Sequence, residues 1–127
     1  MIPDTHLDLI NGPHPAVVIT IGADGLPQTT AVWFHHAEGI IRISTKPTAQ
    51  KYRNVQARPE CGFFLFDPTN QWRFVEIRGN ATIADDPRYE VLEAVCMKHG
   101  HAPSDFDPPG TKRVAIFIEP SRVRVGG

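Results

Sequence analysis

The sequence is poor in cysteine, and this bounds the chemistry that the chain can carry. Only two of its 127 residues are cysteine, Cys61 and Cys96. They form no C-x-x-C pair and have no histidine at the spacing typical of zinc ligands. We therefore expect no metal site and no disulfide framework, and both cysteines are predicted to be free thiols.

The sequence also lacks an excess of charge and a long apolar run. Thirteen basic and fourteen acidic residues leave a formal net charge of −1. Proteins that bind nucleic acid by neutralising phosphates carry a basic excess, so no nucleic-acid partner is expected. No segment approaches the ~20 apolar residues of a membrane span, and no basic region followed by an apolar run opens the chain. We expect a cytoplasmic protein without a membrane partner.

Prolines and glycines are numerous but scattered, and they divide the chain into short elements. The 12 prolines and 10 glycines stand singly between apolar runs. A chain of this length buries about two thirds of its unfolded surface. Residues 1–127 are therefore predicted to form a single domain.

The apolar runs have the length and composition of β-strands separated by turns. Strict alternation over 72–83 places Val75, Ile77 and Ala81 on one face of a long strand. Helices are predicted near the N-terminus, after Pro47 and after Pro87. Hairpins without regular strand–helix alternation favour a closed, six-stranded antiparallel β-barrel with flanking helices, an α+β fold. The strands are predicted at 16–21, 28–34, 40–44, 62–66, 72–83 and 114–118.

The segment 44–54, STKPTAQKYRN, has the composition of an anion-binding corner. An apolar strand ends in two hydroxyl residues, and Pro47 is predicted to open a helix whose free N–H groups point at them. Lys46, Gln50 and Asn54 recur at intervals of four, so several donors can converge on one oxyanion. A solvated basic helix is the alternative interpretation.

Two pairs of histidines invite a metal-site interpretation that their spacing disfavours. His35 and His36 are adjacent on a predicted strand, so their side chains point to opposite faces. His99 and His101 flank Gly100, the predicted end of a helix, where they cap carbonyl groups or lie in solvent. The function of the second pair is left open.

Several segments, in this order, resemble the flavin- and deazaflavin-dependent reductases of the split β-barrel class, a group related to pyridoxamine 5′-phosphate oxidase. The resemblance spans nearly the whole chain. The segments that carry it are GPHPAV at 12–17, DGLPQTTAVW at 24–33, STK at 44–46 with QK at 50–51 and RNV at 53–55, DP at 67–68, RFVEIRG at 73–79, and RV at 113–114 through IEP at 118–120.

The resemblance implies a homodimer with two cofactor grooves at the subunit contact. The cofactor is the deazaflavin coenzyme F420 as first choice, or FMN. Its ring system is expected along the strand that carries Gln28, Thr30 and Val32, with Trp72 reaching over from the partner subunit. Its phosphate is expected at Ser44, Thr45, Lys46, Gln50 and Lys51.

The implied activity is that of an oxidoreductase, with reduction more expected than oxidation, that transfers hydride to a small organic molecule. The sequence identifies no catalytic acid or base. The segment 97–112 departs from the family pattern at the expected substrate position, and the chain lacks the C-terminal substrate-phosphate segment of true pyridoxamine phosphate oxidases. The substrate therefore stays unidentified.

Two other functions compete with hydride transfer. One is a non-enzymatic carrier or sensor that binds a flavin, a deazaflavin or haem in the same groove. The other is a barrel of the OB type that stacks single-stranded nucleic acid on Trp33, Trp72 and Phe74, which the acidic balance opposes.

Overall fold

The computed structural model describes residues 1–127, and its centre is one sheet of seven antiparallel strands. The sequence predicts six. The additional strand is only three residues long, below the length at which alternation becomes visible. The strands are β1 Ala16–Ile21, β2 Pro27–Val32, β3 His35–Ala37, β4 Ile40–Thr45, β5 Glu60–Asp67, β6 Asn70–Asp85 and β7 Val114–Gly126.

Three α-helices flank the sheet: α1 Leu7–Asn11, α2 Gln50–Ala57 and α3 Glu90–Lys98. Short 3-10 turns precede α1 at Asp4–His6 and follow α3 at Pro103–Asp105. None of these helices is long and apolar enough to cross a membrane.

The strand order β2-β1-β5-β6-β7-β4-β3 leaves β2 and β3 as the two edges of the sheet. These edge strands follow each other in the chain, and only Trp33 and Phe34 connect them. The edges therefore lie close together without pairing, which is the split in the barrel. Phe34 is buried there and packs edge-on against Phe63, with 4.8 Å between the ring centroids.

The core fills the inside of this curled sheet and follows the predicted alternation. Val75, Ile77 and Ala81 are buried on β6, and Ile41 and Ile43 are buried on β4. Leu9 and Ile10 of α1 belong to the same apolar cluster, so this helix covers one end of the barrel.

The last strand is longer than predicted, because β7 continues through Pro120 to Gly126. Proline lacks a ladder N–H and is tolerated in a strand where the pairing is irregular. The pairing of β6 with β7 shifts between Arg78 and Gly79, opposite Pro120. A Cβ at Gly79 would lie 2.2 Å from the Glu119 carbonyl oxygen, so only glycine fits this bulge.

Both proline-marked helices begin three residues later than the sequence predicts. The Ala49 N–H donates to the Lys46 carbonyl over 3.0 Å, so Pro47 occupies the second position of a turn, and α2 begins at Gln50. The Tyr89 N–H likewise donates to the Asp86 carbonyl over 3.1 Å, and α3 begins at Glu90. The Pro47 prediction was therefore wrong, and Lys46 lies outside the helix.

The side chain of Asp86 caps α3. Its buried carboxylate accepts hydrogen bonds from the backbone N–H groups of Val91 and Leu92, at 3.2 and 3.1 Å. Gly100, with a φ of 74°, follows the other end of this helix in the left-handed conformation that glycine favours. These two ends fix the direction of α3 across the outside of β4.

Candidate functional site

A groove of about 230 Å³ lies on the outer face of the sheet beside the split. β2 and the connection to β3 form one wall, α3 forms the second, and the segment before β7 forms the third. Its lining residues are Ala31, Val32, Trp33, Ser44, Lys51, Leu92, Val95, Cys96, Phe106 and Arg113.

Ser44 reaches this groove because of its position in β4. Ile43 and Thr45 are buried towards the core, and neighbouring side chains in a strand point to opposite faces, so Ser44 points outward. Its hydroxyl is buried and has no hydrogen-bond partner. A buried, unpaired hydroxyl is costly, so this oxygen marks a place suited to a polar group from a ligand.

Three cations surround the Ser44 end of the groove. Lys51 enters from the first turn of α2, and Arg113 enters from the segment just before β7. Lys46 follows β4 and has a half-exposed side chain. The Lys51 ammonium has no carboxylate partner, and burial, followed by the charge of Arg113, lowers its pKa. An anion at this point would relieve the repulsion between these charges.

One carboxylate of the chain already lies among these cations. Asp107 is 3.5 Å from the Lys46 ammonium and 2.6 Å from Nε of Arg113. Only 8% of the Asp107 side chain is exposed, and its hydrogen bond with Arg113 is the main cause of its lowered pKa. The cationic end of the groove is thus partly neutralised from within the chain.

Aromatic rings form the wall beside the split. His99 stacks on Trp33, with 4.0 Å between the centroids and 5° between the planes. His101 also stacks on Trp33 at 5.5 Å, and Phe106 meets its edge at 5.7 Å. His99 is neither in solvent nor capping a carbonyl, contrary to the prediction, whereas His101 is exposed as predicted and also contacts Trp33. Nε2 of His99 is buried without a partner, and burial lowers its pKa, so the ring is held neutral.

A second polar group, formed around Asn54, positions α2 beside the groove. Asn54 is fully buried. Its side-chain NH₂ donates to the Thr20 hydroxyl at 3.0 Å and to Oε1 of Gln28 at 2.8 Å. Its side-chain oxygen Oδ1 accepts a hydrogen bond from Nε2 of Gln50 at 2.8 Å. Asn54 therefore serves the fold rather than the anion, contrary to the prediction from its spacing with Lys46.

The remaining predicted site residues are dispersed. Gln28, Thr30 and Val32 share one side of β2, the side that packs against the barrel and α2, and of these three only Val32 also lines the groove. Thr45 is buried on the core side of β4, opposite Ser44. Trp72 is 74% exposed near the start of β6 and does not line the groove.

The structure adds groove residues that the sequence analysis did not select. Arg113 lines the groove, and Asp107, which pairs with it, lies beside the groove on a loop whose path no periodicity predicts. Trp33 and Phe106 also line it. The position of Trp33 could have been predicted from the sequence, because this residue immediately follows the strand of Gln28 to Val32 and alternation directs its side chain away from the core. No sequence pattern indicates the position of Phe106.

Comparisons with known proteins agree with this architecture. The family described as pyridoxamine 5′-phosphate oxidase matches residues 2–125. Among solved structures, an F420 reductase has a TM-score of 0.86 and 28% identity over 97% of this chain and 98% of its own. A conserved hypothetical protein from Mycobacterium tuberculosis has a TM-score of 0.82 and 28% identity over 99% of this chain and 85% of its own.

A third structure is similar in fold alone. HupZ from Group A Streptococcus has a TM-score of 0.73 and 20% identity over 98% of this chain and 94% of its own. No curated protein matches the sequence. The family match over residues 2–125, together with a curled antiparallel sheet split between β2 and β3, shows that this chain belongs to the pyridoxamine 5′-phosphate oxidase family of flavin- and deazaflavin-dependent split barrels.

Proposed function

We propose that this chain is an oxidoreductase that binds coenzyme F420, with FMN as second choice, and exchanges hydride between the cofactor and a small organic molecule. The observation that carries the proposal is the unpaired, buried hydroxyl of Ser44 in a groove lined by Lys51 and Arg113. A hydroxyl and cations around one point form a donor set that fits a phosphate group.

We place the phosphate at the Ser44 end of the groove. Ser44 would donate its hydroxyl, and Lys46, Lys51 and Arg113 would supply charge. Charge-assisted hydrogen bonds are worth about 1.5–3 kcal/mol each, so a few of them account for most of a micromolar affinity of about −8 kcal/mol. Gln50 contributes through Asn54, which holds the first turn of α2 in place.

The ring system is placed along β2. This strand pairs only with β1, so one edge of its backbone has no strand partner and can meet the polar edge of a flat ring. Gln28, Thr30 and Val32 therefore act through their backbone groups. Trp72 lies outside the groove of its own subunit, and we place it over the groove of the partner in a homodimer.

The cofactor supplies the hydride chemistry when it is bound. The chain contributes binding, orientation and exclusion of water, and we name no catalytic acid or base. F420 takes first place because the F420 reductase shares 28% identity over nearly the whole length of both chains. We place the reaction in a single domain spanning residues 1–127 and in the cytoplasm.

Titration of the purified protein with F420 and with FMN tests the proposal, with fluorescence and absorbance as readouts. We expect saturable binding of F420 that Lys51→Ala weakens by about 1 to 3 kcal/mol, roughly 5- to 150-fold, because a half-buried cation is lost from the phosphate. Lys112→Ala is the matched control, because this exposed lysine pairs with Asp85 and does not line the groove.

Failure to bind either cofactor would overturn the proposal. Equal affinities of the wild type and Lys51→Ala would show that the phosphate lies elsewhere. Tight binding without reduction of any acceptor would favour the non-enzymatic carrier or sensor instead.

A further inference from the structure

A second cavity, of about 480 Å³, lies on the other side of α3 from the groove. Ala94, Met97 and Lys98 face it from α3, whereas Leu92, Val95 and Cys96 of the same helix line the groove. Residues three and four apart share a helix face, so α3 separates the two sites. The other lining residues of this second cavity are Asn11, His35 and His36.

Basic groups converge on this cavity from four directions without an acid to balance them. The Lys98 ammonium comes from α3. His35 and His36 line the cavity from β3, with His35 on the side of Arg42 and His36 on the side of Asn11. The Arg42 guanidinium of β4 binds Nδ1 of His35, with its NH₂ group at 2.6 Å. The N-terminal amino group contributes to the lowered pKa of His36.

No carboxylate compensates the positive charge at this cavity. Neither Lys98 nor Arg42 takes part in an ion pair within 4.0 Å. Burial is the main cause that lowers the pKa of His35, His36 and Lys98, and no carboxylate acts to raise it. An anion from solution would therefore meet uncompensated positive charge.

The donors of the cavity are only partly used. Lys98 donates one hydrogen bond, to the Ile10 carbonyl at 2.9 Å, and lies 3.5 Å above the ring of Phe34. An ammonium carries three N–H donors, so two are left for a ligand. Nδ1 of His36 lies 3.3 Å from Oδ1 of Asn11, and the amide NH₂ of Asn11 makes no hydrogen bond within the chain.

We propose that this cavity binds a small organic carboxylate, with the Lys98 ammonium as its charge partner, Asn11 and His36 as hydrogen-bonding groups, and Ala94 and Met97 against its apolar part. One ammonium suits a single negative charge, and the two apolar side chains on α3 suit a carbon skeleton rather than an inorganic ion. The site is independent of the cofactor groove.

Benzoate is the probe that tests this site. Protein labelled at methionine methyl groups and at histidine rings is titrated with benzoate, and NMR spectra are recorded. We expect saturable shifts of the Met97 methyl and of the His35 and His36 rings. The affinity should fall as the pH is raised through about 8, where burial places the pKa of Lys98 and the ammonium loses its charge.

Variants separate binding from an effect on folding. Lys98→Met should lower the affinity about tenfold or more, because the charge partner is lost. Lys98→Arg should retain most of it, and Lys112→Met, at a lysine paired with Asp85, should leave it unchanged. The absence of saturable shifts in the wild type, or equal affinities of Lys98→Met and Lys112→Met, would overturn the proposal.

F420 titrated into the same sample distinguishes this proposal from the proposed function. Benzoate that still binds beside F420, or in a protein that binds no cofactor, supports an independent site. Benzoate that F420 displaces competitively would place both ligands in one site and overturn the inference.

Discussion

The carboxylate of Asp107 and the phosphate of the proposed cofactor would compete for the same cations. Its carboxylate lies 2.6 Å from Arg113 and 3.5 Å from Lys46, on cations that we assign to the phosphate. A phosphate that reaches the buried hydroxyl of Ser44 must share these donors with Asp107, and the two anions repel each other.

Asp107→Asn is therefore expected to tighten the binding of F420. The amide keeps the shape of the side chain but removes the negative charge, so Lys46 and Arg113 become free for the phosphate. We expect the dissociation constant to fall about tenfold, which corresponds to roughly 1.4 kcal/mol. A fluorescence titration at fixed ionic strength measures it.

Asp105→Asn is the matched control for this experiment. It removes the same charge from the same loop, but Asp105 contacts His101 and the backbone of Ala102 rather than the cations of the groove. Unchanged or weaker binding by Asp107→Asn would show that the carboxylate orders the loop for the cofactor instead of competing with it.

The residues of the groove differ in how far the sequence could predict them. Ser44 and Lys51 are predicted to share one site, because one lies at a strand end and the other in the helix that follows, and both line the groove. Asp107 and Arg113 meet through a proline-rich loop with no periodicity. Asn54 was misassigned, because its spacing with Lys46 and Gln50 assumes a helix that begins three residues too early.

At the scale of elements, α2 is held in place by a buried amide as well as by an apolar face, since Tyr52 and Val55 belong to the core. Asn54 joins three elements, because it contacts Thr20 of β1, Gln28 of β2 and Gln50 within α2. Such a group is stabilising only while all its partners are present. The position of Lys51 beside Ser44 depends on this network.

Asn54→Ala is expected to lower the free energy of unfolding by about 1–3 kcal/mol, because it leaves the Thr20 hydroxyl and the Gln28 carbonyl oxygen without their donor. Urea denaturation followed by circular dichroism measures the loss. Asn80→Ala is the control, at an exposed asparagine of β6, and should change stability by less than about 0.5 kcal/mol. Similar losses for both variants would contradict the structural role of Asn54.

The element boundaries show where sequence patterns succeed and fail. β1 was predicted with the bounds that the structure has, because a β-branched run ends at a turn signal. The helix starts at Pro47 and Pro87 were wrong, since proline suits the second position of a turn as well as the first turn of a helix. Residue preference alone cannot distinguish a turn from a helix start at these prolines, because the difference lies in the backbone hydrogen bonds of the residues that follow.

At the scale of the whole molecule, the fold class was predictable and the closure of the barrel was not. Hairpin signals specify neighbouring strands such as β1 and β2, but the pairing of β4 with β7 joins segments about seventy residues apart. The split depends on that long-range pairing, because it leaves β2 and β3 at the edges. The split-barrel class was therefore predicted from the family resemblance and not from local patterns.

The outer face of the sheet opposite the core is apolar where β1, β5 and β6 meet. Phe64 contacts Phe66 and Phe74, with centroid distances of 6.2 and 5.6 Å. Phe66 is 49% exposed, and Trp72 beyond it is 74% exposed. Exposed aromatic residues gathered on one sheet face are typical of a protein–protein interface.

We predict that this face forms the homodimer contact, and Phe66→Glu tests it. A carboxylate at the centre of an apolar contact has no partner, so the dimer should weaken about a hundredfold or more. Light scattering over a dilution series measures the mass, and Met97→Glu, at a more exposed apolar residue on α3, should leave the dimer intact. Because we place the partner's Trp72 over the groove, the monomeric variant should also lose affinity for F420.

A wild-type protein that is monomeric at every concentration would refute the shared groove. A Phe66→Glu variant that is still dimeric and still binds F420 would show that the dimer contact lies on another face.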